Sequence, residues 1–177
     1  MLGLFNQIQA TGYYGAVQRL FNAVMSPAII LPNIYIPILT KKIKEKKSIK
    51  STMKTLTITS VSGAILLFIV GIFFPELVVS VVYGAEYLEA TFALTILCIT
   101  AGIFYINNIF FSLAFALYED KKILINHVFM SVLNIALNIY VIPRYSFNGA
   151  AITTLISTIF LLLGNMYICY IALKKIK

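Results

Sequence analysis

The sequence predicts an all-α, polytopic membrane helix bundle, and three observations carry that reading. The 177 residues are 60% hydrophobic and only 11% charged, with a mean hydropathy of +0.94. Soluble domains carry about 25% charged residues, so a soluble chain this short lacks the polar groups to cover itself. Apolar runs long enough to cross a bilayer recur along the chain. Finally, 12 of the 14 basic residues are lysines gathered in three clusters: Lys41 to Lys54, Lys121 and Lys122, and Lys174, Lys175 and Lys177.

The expected spans follow in order as 13–39, 56–74, 90–117, 123–142 and 149–173. The first holds Pro27, Pro32 and Pro37. Proline removes a helical hydrogen bond, and membrane helices tolerate it where neighbours re-satisfy the freed groups. The pattern predicts a helix broken three times, either a working element or a static bend. The second span stops at Pro75. After it, PELVVSVVYGAEYLEA carries Glu76, Glu86 and Glu89 and no base, and Gly84 is expected to end a short interfacial segment with Tyr83 and Tyr87 in the aromatic belt. The third span contains Asn107 and Asn108, and the turn YEDKK closes it. The fourth is expected to end at Pro143, and Gly149, Ala150 and Ala151 open the fifth with small residues suited to close packing.

Charge orients these spans. With five crossings, all three lysine clusters fall on one side and only Arg144 occupies the opposite turns. Positive loops mark the cytoplasmic face, so the N-terminus is expected outside and the C-terminus inside. The lysines suit the anionic inner leaflet, and they call for a lipid bilayer, not a nucleic-acid partner. Met1 to Ala10 has neither the basic region nor the apolar core of a secretory signal. An outside N-terminus without a signal is natural for the second part of a longer protein, so MLGLFNQIQATG reads as the end of one segment and a short loop, with further spans expected upstream.

Chemistry-bearing motifs are few. HExxH, GxSxG, P-loop and GxGxxG patterns are absent. Glu76, Glu86 and Glu89 are the only outer-loop acids and nothing pairs with them. The chain is therefore read as no enzyme, with no cofactor and no metal. Cys98 and Cys169 lie inside apolar runs and read as small buried hydrophobes. Arg19 is the one charge well inside a span. It either snorkels to the headgroups or faces a cavity and marks a pathway. Tyr14, Gln18 and Asn22 recur at i, i+4 and i+8 and form a polar stripe beside it. Arginine pairs phosphate bidentately and amides and phenols bond sugar hydroxyls. Tyr14, Gln18, Arg19 and Asn22 are thus the candidate substrate-binding residues. His127, Ser131, Asn134 and Asn138 share one face of the fourth span and, with Asn107 and Asn108, read as hydrogen-bonding contacts between helices.

Three stretches resemble bacterial polysaccharide flippases of the MATE-like multidrug/oligosaccharidyl-lipid/polysaccharide exporter superfamily. GYYGAVQRLFNAVMSPAIILPNIYIPILTKK is similar to the family's G-x-Y-x-x-A-x-R-L segment through Gly12, Tyr14, Arg19, Leu20 and Pro37, with Val17 where alanine is common. YGAEYLEA matches through Gly84, Glu86, Tyr87 and Ala90. LNIALNIYVIPRYSFNGAAITTLIS matches through Asn134, Asn138, Pro143, Gly149, Ala150 and Ala151, with Ser146 or Phe147 in place of the usual first glycine of the turn.

The resemblance implies the C-terminal half of a two-lobed transporter, the last five of about twelve spans, in a bacterial cytoplasmic membrane. It also implies an undecaprenyl-linked oligosaccharide as substrate and an N-terminal lobe as partner. A drug or cation exporter of the same fold would want an acidic cavity. A structural or regulatory membrane subunit would gain weight if these 177 residues were the whole product, because five helices cannot enclose a two-lobed cavity alone, and a glycan polymerase would need a catalytic acid outside.

Overall fold

The computed structural model describes residues 8–176, with side chains from 11 to 175. Met1 to Gln7 and Lys177 lie outside the described residues, and with them most of the stretch read as a preceding segment. From Ile8 onward that stretch is helix, not loop. The elements are α1 (Ile8–Lys44), α2 (Lys50–Phe73), α3 (Pro75–Tyr83), a 3-10 segment (Ala85–Ala90), α4 (Thr91–Ala116) and a final helical stretch, Asp120–Ile176. That last stretch breaks at Ser146, where φ is 52° and ψ is −139°, into α5 (120–145) and α6 (147–176). Hydrogen bonds join Asn126 to Asn165, Asn134 to Ser157 and Thr153 to Asn138. Every pair straddles the same midpoint beside Ser146, so α5 and α6 fold back as an antiparallel hairpin. The chain is an all-α membrane bundle. Its four helical stretches are long and apolar enough to cross a bilayer, and the last one is folded double.

α4 is the central helix. α2, α1 and the hairpin all pack against it, and most of its length is buried. The α2–α4 contact is close because small residues let the backbones approach. Gly71 lies so near Cys98 that a Cβ there would collide with the cysteine Cβ, and Gly102 faces the Phe68 ring. The outer faces keep Ile58, Ile65, Leu66 and Ile69 exposed. Such a surface is stable only against lipid or another apolar face.

The lysine clusters share one end of the bundle. Lys175 reaches Glu119 at 3.7 Å and Lys122 reaches it at 2.5 Å, while Leu39 of α1 and Leu56 of α2 pack with Ala116 of α4 just above. The stretch Lys41 to Lys54, expected as a loop, is mostly helix: only five residues, 45–49, separate α1 from α2. Lysine is a good helix former, and Lys41, Lys42 and Lys44 sit in the last turn of α1, where the helix dipole favours cations. Lys42 ties the two helices by donating to the Thr52 hydroxyl at 2.7 Å.

The Glu119 carboxyl is held below the ordinary carboxylate range, first by the Lys122 hydrogen bond, against partial desolvation, and then by the charges of Lys122 and Lys175. A carboxyl lowered on folding stabilises above its ordinary value and loses that contribution as pH falls through the folded value. Glu119→Gln is therefore expected to lower the melting temperature by about 1–2 °C at pH 7. Melts repeated at progressively lower pH should show the difference from the parent shrinking as the carboxyl protonates.

Two expectations about proline change. α1 is not broken at Pro27, Pro32 or Pro37; the helix runs through all three. Pro32 cannot bond the Ala28 carbonyl four residues back, and the Asn108 amide of α4 donates to that oxygen at 2.7 Å instead. Pro27 frees the Ala23 carbonyl, and on the next residue the Val24 carbonyl accepts from the Tyr105 hydroxyl at 3.2 Å. Similarly, α5 does not end at Pro143. Proline's φ is helical, so the chain continues to Tyr145, with Arg144 stacked 4.0 Å over Tyr140. The turn comes at Ser146, in a φ range that favours glycine. Ser146→Gly is expected to raise stability by about 1 kcal/mol, read as a higher melting temperature at unchanged oligomeric state.

At the end away from the lysines, α3 follows Pro75 and stops at Gly84, whose φ of 89° suits glycine. The Tyr83 hydroxyl donates to the Ala16 carbonyl at 2.9 Å, and the Tyr83 and Tyr87 rings pack tilted with centroids 5.5 Å apart. The expected short segment ending at Gly84 is present.

Candidate functional site

α1 and the hairpin meet only near the end away from the lysines. There Tyr14 packs with Ile142, Ala150 and Phe147, and the Tyr13 and Phe147 rings lie 6.1 Å apart. Further along, α1 stays on α4 but separates from α5, and a cavity of about 250 Å³ opens between them. Ile29, Pro32 and Asn33 of α1 form one wall and His127 of α5 the other. Phe104, Asn107, Asn108 and Phe111 of α4 form the floor. A second cavity of about 330 Å³ continues across the hairpin face, from His127, Ser131 and Asn134 to Thr154, Ser157 and Thr158. His127 lines both, so the two adjoin at its ring and make up a cleft of mixed polar and apolar lining.

The cleft rests on amide networks. Asn126 of α5 donates to the Leu161 carbonyl at 3.2 Å and to the Asn165 side chain at 3.0 Å. Asn165, fully buried on α6, donates to Asn107 of α4 at 2.9 Å. These bonds lock three helices into one register. Towards the Ser146 turn, Asn138 donates to Asn134 and accepts from Thr153, and Asn134 donates to Ser157. The reading of Asn134 and Asn138 as interhelical contacts matches this geometry, and Ser131 bonds only the His127 carbonyl of its own helix.

The four expected site residues divide. Gln18 and Asn22 come together, with Nε2 of Gln18 donating to Oδ1 of Asn22 at 3.3 Å. Ser26 extends the row by donating to the Asn22 carbonyl. Arg19 is exposed one position round the helix, and no acid pairs with it among the described residues. Tyr14 turns the other way, into the packing of α1 on the hairpin, where its hydroxyl bonds Thr154. None of the four lines the cleft.

The sequence reading missed Asn33, Asn126, Asn165 and the hydroxyl row of α6. A signal existed: Thr154, Thr158 and Asn165 recur at i, i+4 and i+11, the same spacing that marked His127, Ser131 and Asn138 on α5.

Electrostatically the cleft is nearly neutral. Its lining holds no lysine, arginine, aspartate or glutamate, and His127 is its one ionisable side chain. Amides and hydroxyls both donate and accept, which suits a ligand rich in hydroxyls. Among the described residues no three histidine, cysteine or acidic side chains gather as metal ligands. No family model matches the chain, and neither a curated protein nor a solved structure does.

Proposed function

We propose that the chain is one helical lobe of a flippase that moves a lipid-linked oligosaccharide across a bacterial cytoplasmic membrane. The observation that carries this reading is the cleft between α1 and the hairpin, where uncharged amides and hydroxyls stand among apolar side chains within apolar helices. Polar groups at membrane depth are expensive unless paired or facing a cavity. A sugar headgroup satisfies them through its hydroxyls while its isoprenoid tail stays in lipid. No bond is made or broken. The lysine end faces the cytoplasm, the α3 end faces outward, and a second lobe packs across the open side of the cleft. Rocking of the two lobes alternates access. A cation exporter finds little support in a cleft without acids. The resemblance of three ordered stretches to polysaccharide flippases supports the same reading independently of the cleft.

The test is binding. The full chain in phosphatidylcholine nanodiscs is titrated with a polyprenyl-pyrophosphate oligosaccharide and with the same lipid lacking sugar. The glycosylated ligand is expected to bind at least tenfold tighter, and Asn33→Leu to weaken it, since each lost polar contact is worth about 1 kcal/mol. Equal binding of the two lipids would refute a sugar-reading cleft.

A further inference from the structure

We propose that His127 is a proton-dependent anion-binding residue of the cleft, the position that receives a phosphodiester in an otherwise neutral lining. The inference rests on the cleft being a substrate site and adds the charge that its lining otherwise lacks. Nδ1 of His127 lies 2.9 Å from the Ile123 carbonyl. A carbonyl only accepts, so Nδ1 carries a proton and donates. The Phe111 ring, edge-on at 5.5 Å, fixes the imidazole plane. Nε2 is then the basic nitrogen, with no hydrogen-bond partner among the described residues.

The surroundings offer nothing else to do this. α1 presents Ile29, Pro32 and Asn33, α4 presents Asn107, Asn108 and Phe111, and α6 presents hydroxyls and Leu161. None of these is charged. On its own helix the nearest ionic groups are Lys122, paired with Glu119, then Lys121 and Asp120 in the first turn. Glu119 is also shared with Lys175. Protonation of Nε2 therefore places the one positive charge in the cleft lining and turns an acceptor into a second donor. Charged hydrogen bonds are about twice as strong as neutral ones, and at membrane depth an anion has no better partner nearby. The neutral imidazole offers it only a lone pair, so release accompanies deprotonation.

The experiment uses the full chain in phosphatidylcholine nanodiscs at pH 5.5 and pH 8. One probe is a polyprenyl glucosyl phosphodiester, whose single negative charge is constant across this range. The other is the neutral polyprenyl glucoside. The phosphodiester is expected to bind roughly tenfold tighter at pH 5.5 than at pH 8, and the glucoside equally at both. His127→Gln should bind the phosphodiester weakly at both values, and His127→Arg tightly at both. Because the chain holds one histidine, its imidazole NMR signal is unambiguous. Linkage requires the bound phosphodiester to raise the imidazole titration midpoint by about one pH unit. This readout needs no variant to fold. A wild-type affinity independent of pH, a midpoint unmoved by saturating phosphodiester, or a pH response retained in His127→Gln would overturn the proposal. If the glucoside binds but the phosphodiester shows no pH response, the inference fails and the cleft reading survives. If neither ligand binds, both fail.

Discussion

Asn108→Leu is expected to destabilise the bundle by about 1–3 kcal/mol, because it orphans a backbone carbonyl inside a membrane helix. Pro32 has no N–H to offer Ala28, and the Asn108 amide at 2.7 Å replaces that missing donor from a neighbouring helix. Both side chains are buried, Asn108 to 2% exposure, so water does not reach the carbonyl. The decisive form of the experiment is a cycle. Pro32→Ala restores the backbone N–H, so in that background Asn108→Leu should lose less than half as much stability. Unfolding in mixed micelles by increasing dodecyl sulfate measures all four proteins. The same loss in both backgrounds would mean that Asn108 stabilises by something other than the proline-freed carbonyl.

Asn165→Leu is expected to cost about as much or more, since it strips two amide partners at once. Asn165 is fully buried, accepts from Asn126 and donates to Asn107. Leucine nearly matches its volume, so packing alone changes little. What changes is that an amide on α5 and an amide on α4 face an apolar side chain. Hydrogen bonds between membrane helices average about 0.6 kcal/mol, with the strongest near 1.7. Two of them, plus the orphaned groups, give an expected loss of about 2 kcal/mol, with faster amide exchange in α5 and α6. Asn126→Leu combined with Asn165→Leu should cost less than the two singles together, because they remove a shared bond. Additive losses would show that the two asparagines act apart.

The spans were legible because burial in lipid and burial in protein both demand apolar residues, and α4 lies within one residue of the 90–117 expected for it at each end. The gathering of lysine clusters at one end was legible for a related reason, since loop order alone places 41–54, 121–122 and 174–175 together. The prolines were not legible. Whether Pro32 breaks α1 depends on a donor from α4, 76 residues later in the chain, and no local pattern announces that Asn108 will face Ala28. Ser146 illustrates the converse. Pro143 is the stronger breaker by type, yet the turn falls three residues later, where φ becomes positive.

Site residues were harder still. Arg19, Gln18 and Asn22 stood out as polar residues in an apolar run, and Gln18 and Asn22 do meet. Their stripe, however, lies one to two turns short of the cleft, whose α1 wall begins at Ile29 and which forms only because α1 leaves α5 beyond Tyr14. A cleft is a property of the gap between two helices. Periodicity reports which face of one helix is polar, not which faces diverge. His127 and Ser131 were visible as a row on α5. Their exposure to open space, in contrast to the buried Asn138 below them, required the packing.

The most direct test of the central claim is site-specific photocrosslinking from the cleft. A benzophenone is attached at Asn33→Cys and at Ser131→Cys, each in a Cys98→Ala, Cys169→Ala background of the full chain, and at Ile65→Cys on the exposed face of α2 as control. The chain in nanodiscs is irradiated with a radiolabelled polyprenyl-pyrophosphate oligosaccharide. The account predicts label at positions 33 and 131 that an excess of unlabelled glycolipid removes, and only weak, uncompeted label at position 65. Equal labelling at all three positions, or label at 33 and 131 that competitor leaves unchanged, would contradict it.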